Sequence, residues 1–469
     1  MNDGLFDAFD AVSAKQWKQL IQYELQGTDY NETLIWKTNE GVLVKPFYTS
    51  EDLKTLPETS NTKATSWHIC QTIYVADAKR SNSKALNAIK NGAESIKFII
   101  PSENIYLVDL LRNLTQVPIY LELQFLSEAF MQDLKTFSTK AKIAIQTDII
   151  GNLARNGNWH SNINADFLKF LNIVSFTKSF DVDASLYQNA GANMVQQLAY
   201  AMAHATEYLD KISDDEALYA LFKENKIGKS SVIFNVSIGS NYFFEIAKLR
   251  ALRLLWRSIA NTYHINPECF IIATPSKRNK TIYEVNTNLL RTTTECMSAI
   301  LGGANTICNV PFDTVYKKSS TFSERMARNQ LLILKHESWF NKVNNPSDGS
   351  YYIETLTTQL AEKALLLFKD IEANGGFLKQ LKEGTIQRKI KESATKEQQQ
   401  FETGEIVLLG TNNYPNTNET MKDALELYPF VKTKPRKTLI EPIIERRLAE
   451  KMEQDRLKME EFKQKTDDR

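Results

Sequence analysis

Between Trp67 and Asn374 short apolar runs alternate with amphipathic stretches of helical period, and this alternation limits the fold more than any other feature. The runs are ICQTIYV, SIKFII, VPIYLEL, KIAIQT, NIVSFT, SVIFNVSI, ECFIIATP and NTICNVPF. Helical patterns fall between them at 83–92, 127–137, 193–209, 244–260, 288–301 and 323–335. Parallel neighbours in a sheet need long crossover connections, which amphipathic helices supply. Eight such units predict an α/β fold, a closed (β/α)8 TIM barrel rather than an open sheet.

The flanks read differently. Ser13 and Gln16 have capping-box spacing, Trp17, Leu20, Ile21 and Leu25 follow at helical period, and Gly27 is a terminator. Residues from about 33 to 66 lose periodicity, so the helix and this arm have little surface for a core of their own. They are expected to lie against the main domain or another chain. Beyond Gly375 and Gly376, 379–400 is polar and helical, and EIVLLGTNNYP reads as one short strand with a turn. The stretch 439–467 reads as a heavily charged surface helix, frayed at 465–469. The expected division is an N-terminal helix and extended arm over 1–66, a barrel over 67–376, and a linker with a charged helical extension over 377–469.

Composition narrows the partners. Lys plus Arg at 57 against Asp plus Glu at 56 leaves a net charge of +1, which gives no general attraction to nucleic acid or membrane. No apolar run approaches the ~20 residues of a membrane span. The start MNDGLFDAFDAV lacks the basic-then-apolar order of a signal peptide. Cys70, Cys269, Cys296 and Cys308 show no Cys-x-x-Cys spacing, which argues for a reducing compartment and against a zinc site. A cytoplasmic protein is expected.

The chemistry is thin. In DVDASLYQNAGANMVQQLAY, residues 181–200, an alternating run meets a helix where barrels place catalytic groups, yet the turn offers only Ser185, Leu186, Tyr187 and Gln188. No phosphate loop or dinucleotide fingerprint appears. LGGAN, 301–305, reads as a helix C-cap with Gly302 or Gly303 left-handed, with a substrate phosphate site as the alternative. His68, His160, His204, His264 and His336 have no second ligand at metal spacing, and His204, inside a helical run, reads as a structural histidine. The helix 243–256 carries Glu245, Lys248, Arg250 and Arg253 and predicts intrahelical ion pairs, with a subunit contact as the alternative. SERMARNQ, 323–330, predicts a buried Arg–carboxylate contact. No residue is assigned as catalytic, cofactor-binding or metal-ligating.

SNYFFEIAKLRALRLLW, NLLRTTTECMSAILGGANT, SERMARNQ, NPSDGSYYIETLT, NAGANMVQQLAYAMAHATEYLD and EGVLVKPFYTSEDL together resemble the barrel of the methylmalonyl-CoA mutase family, in order from about residue 10 to 455. The resemblance implies an adenosylcobalamin-dependent isomerase that interconverts methylmalonyl-CoA and succinyl-CoA, with cobalamin held on a separate domain. It also implies where working groups should stand. The family's tyrosine and histidine fall at Ser185 and Leu186, its second CoA-side arginine at Cys70, and its glutamine and histidine after the paired glycines at Asn305 and Cys308. Gln146 and Asp148 match, while Arg155 lies one position short of the substrate-carboxylate arginine. The cobalamin motif Asp-x-His is not found.

The resemblance therefore implies a small, non-catalytic subunit (a pseudoenzyme of propionate metabolism) paired in a heterodimer with a large catalytic subunit. This chain would bind no cofactor, and adenosylcobalamin would sit on the partner. The alternatives are an acyl-CoA-sensing regulatory module, or an independent barrel enzyme drawing on Asp148, Asp183, Glu284 and Asp313.

Overall fold

The apolar runs become strands because their side chains alternate between two buried environments. In Ser231–Ile238, Val232, Phe234, Val236 and Ile238 pack among the helices, whereas Ile233 meets residues of three other strands inside a ring. The computed structural model describes residues 10–53, 62, 64–138, 142–223, 231–432 and 435–467. A small antiparallel hairpin comes first, β1 (Trp36–Lys37) with β2 (Leu43–Val44). The ring strands are β3 (His68–Tyr74), β4 (Ser95–Ile100), β5 (Ile119–Leu123), β6 (Ile143–Gln146), β7 (Ser179–Asp183), β8 (Ser231–Ile238), β9 (Glu268–Pro275) and β10 (Thr306–Ile307).

These eight strands pair in parallel in the order β6-β5-β4-β3-β10-β9-β8-β7, a nearly closed (β/α)8 barrel. Among the described residues no ladder joins β6 to β7. Two carboxylates bridge that gap: Thr147 N–H donates to Asp181 Oδ1 and Asp183 N–H donates to Asp148 Oδ2, both at 2.7 Å.

One expected strand is misplaced. NIVSFT forms the end of the helix Ile163–Thr177, and the strand is the alternating run after it. Asn162 caps that helix through Ala165 N–H, and Phe167, Phe170, Ile173 and Val174 bury one helical face. Lys178 at φ +54 then breaks the helix into β7.

The C-terminal third departs further. The polar stretch after Gly376 forms two helices, Phe377–Lys382 and Thr385–Glu402. EIVLLGTNNYP holds a single bridge between Leu409 and Asn413 and no strand. The charged helix runs only over Glu450–Asp467. Residues 439–449 form no helix, since Pro442 has no N–H to give and neighbouring N–H groups donate to carbonyls of the barrel instead. Nor is that helix purely a surface element, since Glu453 and Leu457 are buried and Glu453 pairs with Arg447 at 2.6 Å. The last two of the residues expected to fray lie outside the described residues.

At the other end Ser13 caps Ala14–Glu24 with the expected Gln16 capping box. This helix buries none of its residues, and Trp17 stacks on Phe47 of the arm at 4.2 Å. No described helix is long and apolar enough to cross a membrane.

Candidate functional site at the barrel mouth

After β7 the chain turns directly into the short helix Ser185–Asn189. Leu186 and Tyr187 are fully buried in the main apolar cluster. Gln188 Nε2 donates to Glu245 Oε1 at 3.0 Å, and Asn189 Oδ1 accepts from Ser276 Oγ at 2.9 Å and Lys277 N–H at 3.1 Å. The corner ties β7 to the loop after β9 and offers no free acid or base.

His204 lies under it, fully buried, with both ring nitrogens engaged. Tyr187 Oη lies 2.9 Å from Nδ1 and Asp148 Oδ1 lies 2.9 Å from Nε2. Tyr208 Oη donates to the same Asp148 oxygen at 2.6 Å. Asp148 also caps the helix Ile149–Asn156 through Gly151 N–H at 2.7 Å. Burial pushes the Asp148 carboxyl up, but His204, Tyr208 and the Asp183 N–H together hold it below its ordinary value. Tyr187 and His204 are fully buried and the Asp148 side chain is 6% exposed. His204 stands inside the helix Met194–Ser213, as its helical pattern predicts.

Arg155 reaches the mouth and is already neutralised. Its Nη2 lies 2.7 Å from Asp183 Oδ2 and 3.9 Å from Glu445 Oε1. Burial raises the Asp183 carboxyl, yet Arg155 and Ser185 bring it down to about 2. Neighbouring Asp181 goes the other way: burial and the nearby Asp148 charge push it well up, outweighing the Thr147 N–H bond.

The lumen is filled rather than open. Lys97 Nζ sits 2.8 Å from Glu122 Oε2 and donates to Asn235 Oδ1 at 3.2 Å, which also accepts from Gln146 Nε2 at 3.2 Å. Burial lowers the Lys97 ammonium, but Glu122, Cys308 and Asp183 together outweigh it and the net direction is up. Below them Tyr120 Oη and Thr306 Oγ1 are 3.0 Å apart, among Cys70, Ile233, Ile272 and Cys308. Neither Lys97 nor Glu122 stands out in the sequence, where a charge in a strand reads as solvent-facing. The available signal is position, since both fall on the inward register of apolar runs.

The segment 439–449 crosses the mouth as a strap. Leu439 and Ile440 N–H donate to Gly157 O, Ile443 N–H to Ala154 O, Arg446 N–H to Asn189 O and Leu448 N–H to Arg278 O. These acceptors follow β6, β7 and β9 at their C-terminal ends, the face where barrel enzymes hold substrates. Beside the strap a cavity of ≈ 350 Å³ opens, lined in part by Glu40, Gln188, Glu245, Arg278, Glu397 and Leu448.

Other candidates disperse. Glu284 and Asp313 lie near a satellite cluster containing Tyr283 and Tyr316, whereas Asp148 and Asp183 sit together at the mouth. Asn305 Oδ1 accepts Ile271 N–H at 2.9 Å and Arg253 Nη2 at 2.8 Å, at the opposite end of the barrel. Gly303, at φ +84, supplies the expected left-handed C-cap. In the 243–256 helix only Glu245–Lys248 is an intrahelical pair, at 2.6 Å, and it is fully buried. Arg250 pairs with Glu354 and Asp348, and Arg253 reaches the carbonyls of Cys269 and Gly303. Arg328 bonds Gln71 Oε1 and Asn91 O, so its partners are an amide and a carbonyl rather than the expected carboxylate. Among the described residues no cluster of His, Cys, Asp or Glu could hold a metal ion.

Fold and site together define a TIM-type barrel whose lumen is filled by side chains and whose mouth is crossed by its own chain. The family profile for methylmalonyl-CoA mutase matches residues 113–466, and the chain belongs to that family. A methylmalonyl-CoA mutase small subunit from Porphyromonas gingivalis is 36% identical over 90% of this chain and 73% of its own length. One from Streptomyces virginiae is 27% identical, covering 89% of this chain and 73% of itself. The methylmalonyl-CoA mutase large subunit of Porphyromonas gingivalis is 31% identical, but over 53% of this chain and 34% of its own length.

Proposed function

We propose that this chain is the non-catalytic small subunit of a cytoplasmic, heterodimeric methylmalonyl-CoA mutase, in which a large subunit binds adenosylcobalamin and interconverts methylmalonyl-CoA and succinyl-CoA. The observation that carries this reading is the state of Arg155. It is the cation beside the position where the resemblance puts the substrate-carboxylate arginine, and Asp183 and Glu445 already occupy it at 2.7 and 3.9 Å. A substrate carboxylate would have to displace both. The strap that delivers Glu445 uses the rim carbonyls of Ala154, Asn189 and Arg278. Leu186, where the family's histidine falls, can neither move a proton nor polarise a thioester.

Adenosylcobalamin would supply the radical that starts the rearrangement, and the mouth residues do not fit it. A cofactor serving a barrel must face the C-terminal rim, and here the strap backbone is bonded across that rim. The chain's own part is then structural: a filled, rigid barrel that presents a surface to the large subunit. The helix Ala14–Glu24, with no residue buried on this chain, supports a docking role for the N-terminal segment. Such an obligate interface should exceed roughly 2,000 Å².

The test is reconstitution. This chain alone, the large subunit alone and the two together are assayed for succinyl-CoA formation with added adenosylcobalamin, and sized by light scattering. The expected result is no turnover from this chain, a 1:1 complex, and full activity only in the mixture. Turnover by this chain unaided, or failure to associate, would overturn the reading.

A further inference from the structure

The seam between the first and last barrel strands carries two thiols in facing positions. Thr306 pairs with His68 and Ile307 with Ile69 across β10 and β3. One step further along this parallel register, Cys308 stands beside Cys70. The strand period of two turns both side chains to the same side, into the lumen with Tyr120, Ile233 and Ile272. Both cysteines are buried in that cluster. Neighbouring strands lie about 4.8 Å apart, inside the Cα span of about 4.4–6.8 Å that a disulfide bridges. The strand spacing thus meets the Cα criterion for a disulfide.

Cys308 differs from the other three cysteines, since burial and the neighbouring Cys308 sulfur raise Cys70 well above an ordinary thiol. Burial pushes Cys269 up to about 11, and burial likewise raises Cys296 well above an ordinary thiol. Cys308 goes down, chiefly through the Cys70 hydrogen bond, with Lys97 adding to it against burial. A thiolate is the form that oxidants attack. On the mouth side of the pair the Glu122 side chain is 37% exposed and its partner Lys97 is 11% exposed.

We infer that Cys70 and Cys308 form a reversible dithiol–disulfide pair inside the barrel, oxidised by hydrogen peroxide. The Cys308 sulfur attacks one peroxide oxygen, breaking the O–O bond and releasing water to give a sulfenic acid. The Cys70 sulfur then displaces the hydroxyl, forming the S–S bond and a second water. Two thiols lose two electrons and two protons, and one hydrogen peroxide becomes two water molecules. The product joins β3 to the end of β10 covalently, so the ring is locked along one of its two shortest ladders. This inference stands apart from the proposed role as a subunit.

The experiment uses the full chain, reduced and then freed of reductant. It is treated with hydrogen peroxide, unfolded in N-ethylmaleimide and analysed by intact mass and peptide mapping. The four cysteines should all be alkylated before treatment and only two after it. The missing pair should appear as one peptide linking Cys70 to Cys308, and dithiothreitol should restore both. C296S should keep the link, and C70S and C308S should each lose it. Four alkylated thiols after treatment, a link through Cys269 or Cys296, or only intermolecular links would overturn the inference. The wild-type peptide map decides by itself if a serine variant fails to fold.

Discussion

The main-chain N–H of Asp183 donates to Asp148 Oδ2 at 2.7 Å, so a carboxylate at the end of β6 holds the end of β7 where no ladder does. The same carboxylate caps a helix and takes His204 and Tyr208 on its other oxygen. A residue of a type found in active sites is here a keystone of the ring, and removing it tests that assignment.

Replacing Asp148 by Ala leaves a buried imidazole, a phenol and two backbone N–H groups without their acceptor. Breaking a buried pair by removing one partner costs about 3–5 kcal/mol. D148A is expected to lower the unfolding free energy by that amount, read as a lower denaturant midpoint with an unchanged slope. A shift under about 1 kcal/mol would mean the carboxylate is dispensable to the ring.

Asp181 and Asp183 should titrate stability in opposite senses. Asp183 is depressed to about 2, so its contribution is present above the unfolded value of 3.8 and is lost as pH falls through 2. Asp181 is raised, so its contribution is present below the unfolded value and disappears as pH rises through its folded value. D181N keeps an oxygen for Thr147 N–H and avoids the buried charge. It is expected to be more stable than the parent at pH 8, on the order of 1–2 kcal/mol, with the gap closing below pH 4. R155M should remove the acid-side loss assigned to Asp183. Urea midpoints at pH 3, 5 and 8 for the three chains check both signs, and a D181N gain that grows toward acid would contradict the assignment.

Gly157 links the strap to the barrel. At φ +76 it accepts Leu439 and Ile440 N–H, and an added Cβ would meet Ile440 O at 2.7 Å and Thr438 Cβ at 2.8 Å. A left-handed non-glycine residue alone costs about 1–2 kcal/mol. G157A should therefore raise amide hydrogen exchange across 439–448, with the β8–β9 core unchanged. Unaltered protection of that segment would show that the strap is held by its distal contacts alone.

What the sequence made legible was periodicity. Strands such as SVIFNVSI and SIKFII bury both faces, so their apolar runs are plain, and the capped helix at Ser13 follows from local spacing. NIVSFT misled because four apolar or small residues at the end of a buried helix look like a strand, and only Lys178 marks the break. The strap was hidden by composition, since its charges match those of the helix after it and only Pro442 hints otherwise. Above all, Lys97, Glu122 and Glu445 escaped notice because their partners are distant in sequence. Pairings of that kind are set by ring closure.

Restoring the family's histidine at Leu186 is the sharpest check on whether this mouth is a dormant active site. Leu186 is fully buried in the main cluster, beside a corner whose polar atoms are already matched. An imidazole there would enter apolar surroundings without a partner, at a cost of about 1–3 kcal/mol on mutational scales. L186H is expected to lower the unfolding free energy by that amount, read from the denaturant midpoint, and to give no turnover of methylmalonyl-CoA with added adenosylcobalamin. It should leave activity of the reconstituted pair unchanged where the variant stays folded. A gain of turnover in L186H alone would mean the barrel still holds its substrate path, and that the strap opens readily enough to use it.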